Sequence, residues 1–160
     1  DKLKAVNQYW LRKMPADELA EKLIVMREGV TATQSREWLE ELMPLFTERA
    51  QTLVELNEMT SWLFSNGAPA LNEDAAALLT DEAKHTLRKV AQFLSTTAAN
   101  KAEFDTAFKD WMAAEGLKMR DVGLPLRAAL TGTKTAPSIL DIVRALGKEE
   151  TLHRINQVCT

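Results

Sequence analysis

The stretch that decides the fold runs Leu124-Pro125-Leu126-Arg127-Ala128-Ala129-Leu130-Thr131-Gly132, followed by Pro137-Ser138-Ile139-Leu140 and Leu146-Gly147-Lys148-Glu149. Its apolar positions recur at helical rather than strand spacing. Gly132 and Gly147 sit where helices stop, because a helix often closes on a left-handed residue that glycine adopts without steric cost. Pro137 is suited to a helix start, where its fixed φ fits and its missing N–H is no loss. The run therefore predicts three short helices over about 118–130, 137–146 and 148–158.

The same punctuation extends upstream. Leu3, Val6, Trp10, Leu11 and Met14 form a helical stripe that stops before Pro15. Asp17 opens a second helix, lined by Leu19, Leu23 and Met26 and ended by Gly29. Thr33 or Ser35 can cap a third, carrying Trp38, Leu39, Leu42 and Met43. Pro44 is expected to interrupt it and to open a fourth, from Leu45 to Leu63, with a break near residues 54–58. Asn66-Gly67-Ala68-Pro69 is the strongest linker signal. Thr80, followed by Asp81 and Glu82, is an N-cap with acids in the first turn, where the helix dipole favours them. Phe104, Phe108, Trp111 and Met112 continue the period to Gly116. No segment alternates over strand length, so the expected class is all-α: an elongated helical bundle or superhelix of two small subdomains.

Composition bounds the function without naming it. The 160 residues have the mixed charge of an ordinary globular chain, and no apolar run approaches the roughly 20 residues that a membrane span needs. The start at Asp1-Lys2-Leu3-Lys4 is charged, reads as no signal peptide, and suggests a fragment. Cys159 is the single cysteine, which leaves no intrachain disulfide or thiolate zinc site and fits a reducing cytoplasm. The net charge of −3 hides an asymmetry: residues 1–66 and 67–116 each carry −3, and residues 117–160 carry +3. An anionic partner would meet the C-terminal quarter, unless the excess is ordinary surface variation.

Catalytic patterns are missing. His85 and His153 are isolated, and they read as surface or half-buried residues. Cys159 reads as an inert thiol. No glycine-rich phosphate loop occurs. Glu40-Glu41 and Glu149-Glu150 read as solvated helix faces, and Trp10, Trp38, Trp62 and Trp111 as core anchors. No residue is expected to be catalytic, and none to hold a metal.

Three motifs carry a resemblance. The opening stretch, extended through Glu149-Glu150-Thr151-Leu152-His153-Arg154-Ile155, resembles the "QPLR-aLTG…sPglfe-lLGke-l-RI" run of bacterial glutamyl-tRNA synthetases. Lys2-Leu3 with Asn7 and Tyr9 is similar to the "KL-w-N-yi" segment that follows the family's second nucleotide-binding signature. Glu48-Arg49-Ala50-Gln51-Thr52-Leu53, with Trp62-Leu63-Phe64, resembles "eRa-tL…yLF". The three fall in family order and span almost the whole chain.

The resemblance implies the C-terminal half of a class I synthetase that activates glutamate with ATP and Mg and transfers it to tRNA. The HIGH-like and KMSKS-like signatures are absent, so this fragment is expected to be non-catalytic and to hold no cofactor. It implies the end of a stem-contact region at 1–29 and anticodon-binding subdomains at 30–66 and 67–160. The implied partner is glutamate tRNA, and the implied whole is a cytoplasmic monomer.

By the same resemblance, Arg49 reads the last anticodon base, where glutamine would mark relaxed enzymes, and Arg127 lies near the first. A loop of Ala136, Pro137, Ser138 and Ile139 meets the middle base. Arginine suits such readout: its guanidinium stacks, and its donors meet two acceptors at once. Two residues depart from the pattern. Ala136 replaces a threonine of some members. Ser138 replaces the usual glycine, which is unfavourable if the position needs positive φ. Three alternatives stay open: a paralogue charging glutamine tRNA as well, a helical protein-interaction module without RNA function, and Arg49 and Arg127 as salt-bridged surface residues.

Overall fold

A computed structural model describes residues 2–27, 35–97, 101–133 and 137–160. The described residues are all-α, with no strand among them. The chain divides into two compact units, Asp1–Asn66 and Gly67–Thr160.

The first unit contains α1 (Lys2–Lys13), α2 (Ala16–Met26), α3 (Arg36–Thr47), α4 (Leu53–Met59) and a 3-10 turn at Ser61–Phe64. The predicted Gly29 stop and the Thr33 cap lie outside the described residues. Ser35 caps α3 by accepting the Trp38 N–H at 3.3 Å. Helices α2 and α3 pack together through the fully buried Leu19, Leu23, Leu39 and Met43.

Three expectations need correction here. Pro44 does not start a helix but lies inside α3. It costs the helix the single bond its missing N–H would have made, and the turn continues to Thr47. The break falls at residues 48–52 rather than 54–58, because Thr52 caps α4 from the Glu55 N–H at 3.1 Å. Glu55 reaches back to accept the Gln51 N–H at 2.8 Å. Finally, Trp62 is a core anchor, with its Nε1–H donating to the Met59 carbonyl at 2.9 Å, whereas Trp10 is 61% exposed. Only Leu11 of α1 is buried, so the Leu3–Val6–Trp10 stripe faces away from the core of this unit.

The second unit contains α5 (Glu73–Leu78), α6 (Asp81–Thr96), α7 (Lys101–Ala114), α8 (Met119–Thr131) and α9 (Ile139–Cys159). Helix α6 packs on both α8 and α9 through Leu87, Val90 and Leu94. Phe93 of α6 stacks on Trp111 at 5.0 Å between ring centres and meets Phe108 at 5.8 Å, so aromatic packing ties α6 to α7. Thr80 caps α6 by accepting the Ala83 N–H at 3.2 Å.

The three predicted glycine stops of this unit are left-handed, Gly116 at φ 68°, Gly132 at φ 73° and Gly147 at φ 77°. Gly132 is constrained twice over: a Cβ there would lie 2.4 Å from the Ala70 carbonyl oxygen, and its own carbonyl accepts the Asn72 N–H at 3.1 Å. Gly147 divides α9 into two straight pieces.

Glu150 is not on a solvated face, which corrects the reading of the Glu149-Glu150 pair. Its Oε1 accepts from Arg154 Nε at 2.8 Å and from the Gly67 N–H at 3.1 Å. Arg154 is fully buried and also donates from Nη1 to the Leu130 carbonyl at 2.7 Å. Burial lowers the pKa of Arg154 and Glu150 opposes the shift. Buried charge of this kind is tolerated only when it is paired and hydrogen-bonded.

Candidate nucleic-acid interface

Arg49 lies in the turn between α3 and α4. Its N–H donates to the Phe46 carbonyl at 3.0 Å. Phe46 and Ala50 on either side are buried in the core, and this turns the exposed Arg49 side chain outward. The turn is fixed from both ends: Arg12 Nη2 donates to the Glu48 carbonyl at 3.0 Å, and the Thr52–Glu55 cap begins immediately after Gln51.

Arg127 lies on α8 between the fully buried Leu126 and Ala128 and is itself half-buried. The structure brings it together with the start of α9. Met119, Arg120, Gly123, Leu124, Arg127, Ser138, Ile139 and Leu140 line one open groove of about 410 Å³. At Gly123 a Cβ would meet Ile139 Cγ1 and Met119 Sδ at 3.8 Å each, ordinary van der Waals contact, so the approach of α9 does not itself require glycine there. Groove residues thus come from two consecutive helices, α8 and the start of α9.

Ser138, at φ −60° and ψ 149°, occupies ordinary extended backbone. Serine is therefore unstrained where the resemblance expects glycine. Its hydroxyl accepts the Asp141 N–H at 3.2 Å and donates to Asp141 Oδ2 at 2.7 Å. The side chain is spent on the cap. The first two N–H groups of a helix have no partner inside it, and at α9 these belong to Ile139 and Leu140. Arg144 Nη1 balances Asp141 from 3.2 Å and also pairs with Asp105. Pro137 and Ile139 are buried, and Ser138 is exposed. Ala136 lies outside the described residues. Arg49 belongs to the other unit.

Sequence reasoning missed Arg120, Met119 and Leu124 as groove residues. Their spacing from Arg127 along one helix face was visible, but only the packing of α9 turns that face into a groove. Both histidines are exposed, and the described residues hold no cluster of three or more His, Cys, Asp or Glu that could bind a metal. No helix among them is long and apolar enough to cross a membrane.

Residues 5–159 match the model of a family described as anticodon binding domain. The chain is 37% identical over 164 aligned positions to glutamate–tRNA ligase 2 of Brucella ovis. It is equally identical to glutamate–tRNA ligase 1 of Brucella melitensis. Both alignments cover 96% of this chain, which spans about a third of those relatives, 35% of their length. A crystal structure of a glutamate tRNA ligase from Elizabethkingia meningosepticum shares the fold, with a TM-score of 0.80 and 23% identity. That match covers 98% of this chain and 31% of the other.

Proposed function

Because the chain belongs to the anticodon binding domain family, we propose that it reads the anticodon of glutamate tRNA for a class I glutamate–tRNA ligase. In this reading the chain itself performs no chemistry. Glutamate activation by ATP and Mg, and transfer to the tRNA, belong to the remainder of the full-length enzyme, a cytoplasmic monomer. Residues 1–29 end the stem-contact region, and residues 30–66 and 67–160 form the two anticodon-binding subdomains.

The observation that carries the reading is the groove in which Arg127 meets the start of α9. An unpaired base needs a flat cationic or aromatic surface to stack on, together with donors and acceptors for its edge. Arg127 supplies the first, and it faces the first anticodon base. The N–H groups of Ile139 and Leu140, behind Pro137 and Ser138, supply donors for the middle base. The Ser138 hydroxyl is committed to Asp141, so readout at this loop is by backbone, with Ala136 completing the loop. Arg49 reads the last base from a turn whose backbone is held on both sides.

A filter-binding titration of the chain with a glutamate tRNA transcript tests the proposal. Affinity is expected to fall steeply as salt rises, because phosphate contacts release counterions. Arg127→Ala is expected to reduce preference for the glutamate anticodon over one changed at its first base. Absence of tRNA binding at low salt would replace the proposal with a protein-interaction module.

A further inference from the structure

We infer that Arg120 is an additional RNA contact, one that grips a phosphate of the anticodon loop and does not read a base. The inference rests on the anticodon reading above and extends it to a residue that neither the motifs nor the resemblance singled out.

The starting point is the positive excess of residues 117–160. Three of its cations are bound into the fold along α9. Arg144 pairs with Asp105 and Asp141. Arg154 is buried against Glu150 and Leu130. Lys148 Nζ donates to the Ser95 and Thr97 carbonyls at 3.1 and 3.2 Å, capping the end of α6. Lys118, Arg120 and Arg127 lie together at or on α8. Half of the described cations of this quarter therefore lie along one helix, α8.

Arg120 and Arg127 line the same groove, with Leu124 between them. They are seven residues apart, two helical turns, or about 10 Å along the axis. A backbone that places one base at Arg127 would run past Arg120 within one or two nucleotides. The Arg120 side chain is 78% exposed. It pairs with the adjacent Asp121 at 3.5 Å, and Asp121 also accepts the Lys118 N–H at 3.1 Å. An exposed pair of this kind contributes little and is readily exchanged for a phosphate oxygen. Met119 and Leu124, each about 40% exposed, give the groove an apolar wall. Arg127 is half-buried, whereas Arg120 stands exposed at the rim, as suits contact with a backbone common to every sequence.

The test compares the wild-type chain with Arg120→Ala, Arg120→Lys and Arg127→Ala. Each is titrated with a glutamate tRNA transcript and with the same transcript carrying an altered anticodon, between about 50 and 200 mM salt. One phosphate contact to a single strand contributes about 0.7 to the salt slope. Across that range, wild-type affinity is expected to fall about 2.5-fold further than that of Arg120→Ala. The Arg120→Ala loss should be the same for both transcripts, and Arg120→Lys should restore the slope. Arg127→Ala should instead change the preference between transcripts. An unchanged slope in Arg120→Ala, or a loss that depends on the anticodon, would overturn this inference while leaving the anticodon reading intact. Failure of the wild-type chain to bind either transcript would overturn both.

Discussion

Arg154 and Glu150 form a salt bridge at 2.8 Å in which the arginine keeps only 1% of its surface, and the same guanidinium holds the Leu130 carbonyl at 2.7 Å. Through Glu150 the pair also fixes the N–H of Gly67, the first residue of the second unit. One ion pair thus joins the end of α8, the second piece of α9 and the strand of chain that enters the unit. Breaking a buried pair by removing one member leaves the other uncompensated. Arg154→Ala is expected to destabilise the second unit by about 3 kcal/mol, and urea unfolding would measure it.

Arg49 should control the last anticodon base. In the intact enzyme, Arg49→Gln is expected to cost about 1–3 kcal/mol of discrimination at that position, the usual worth of a bidentate base contact. Charging kinetics with glutamate and glutamine tRNAs would show it as a narrowed ratio of kcat/KM. An unchanged ratio would count against this role.

Ser138 makes a contrasting prediction. Its hydroxyl is bound to Asp141 and its φ is negative. Ser138→Gly should therefore change tRNA affinity by less than about twofold and cost only a few tenths of a kcal/mol, since glycine is itself an acceptable N-cap. Ser138→Ala should cost about 1 kcal/mol. Thermal melts and filter binding on the same variants would separate the two effects.

Thr52→Ala is expected to cost about 1 kcal/mol through loss of the α4 cap. Because that cap borders the turn carrying Arg49, hydrogen exchange at Gln51 and Glu55 should accelerate in this variant.

Cys159 should react sluggishly with thiol reagents. Burial raises its pKa, against the pull of Arg88 and Lys84, and its Sγ lies 3.6 Å from the Lys84 carbonyl. The reactive thiolate forms only as pH rises through the folded pKa, so labelling should reach its half-maximal rate at higher pH than in the urea-unfolded chain. Equal pH profiles in the two states would refute this.

What was legible in the sequence was local. Ser35, Thr80, Gly116, Gly132 and Gly147 act where their residue types say they should, because a cap or a left-handed glycine is decided within one helical turn. The α3–α4 break was legible too, in Thr52-Leu53-Val54-Glu55, a capping-box spacing. Trp10, Arg154 and the groove were not legible. Each depends on which elements meet in space: little of this unit covers α1, and α9 must pack on α8 before Arg154 finds Leu130 or Arg120 shares a groove with Ser138. Arg127 was found only because its motif resembled a family.

The left-handed Gly147 gives α9 a division of labour. The piece before it borders the groove, and the piece after it holds Arg154 and Glu150, which secure the fold. Substitutions at Ser138 and Leu140, which are not buried, can therefore alter the groove at a distance from the anchor that keeps the unit assembled. If the groove reads RNA as proposed, its preference can be altered from the piece ahead of that glycine, and engineering of its specificity should begin there.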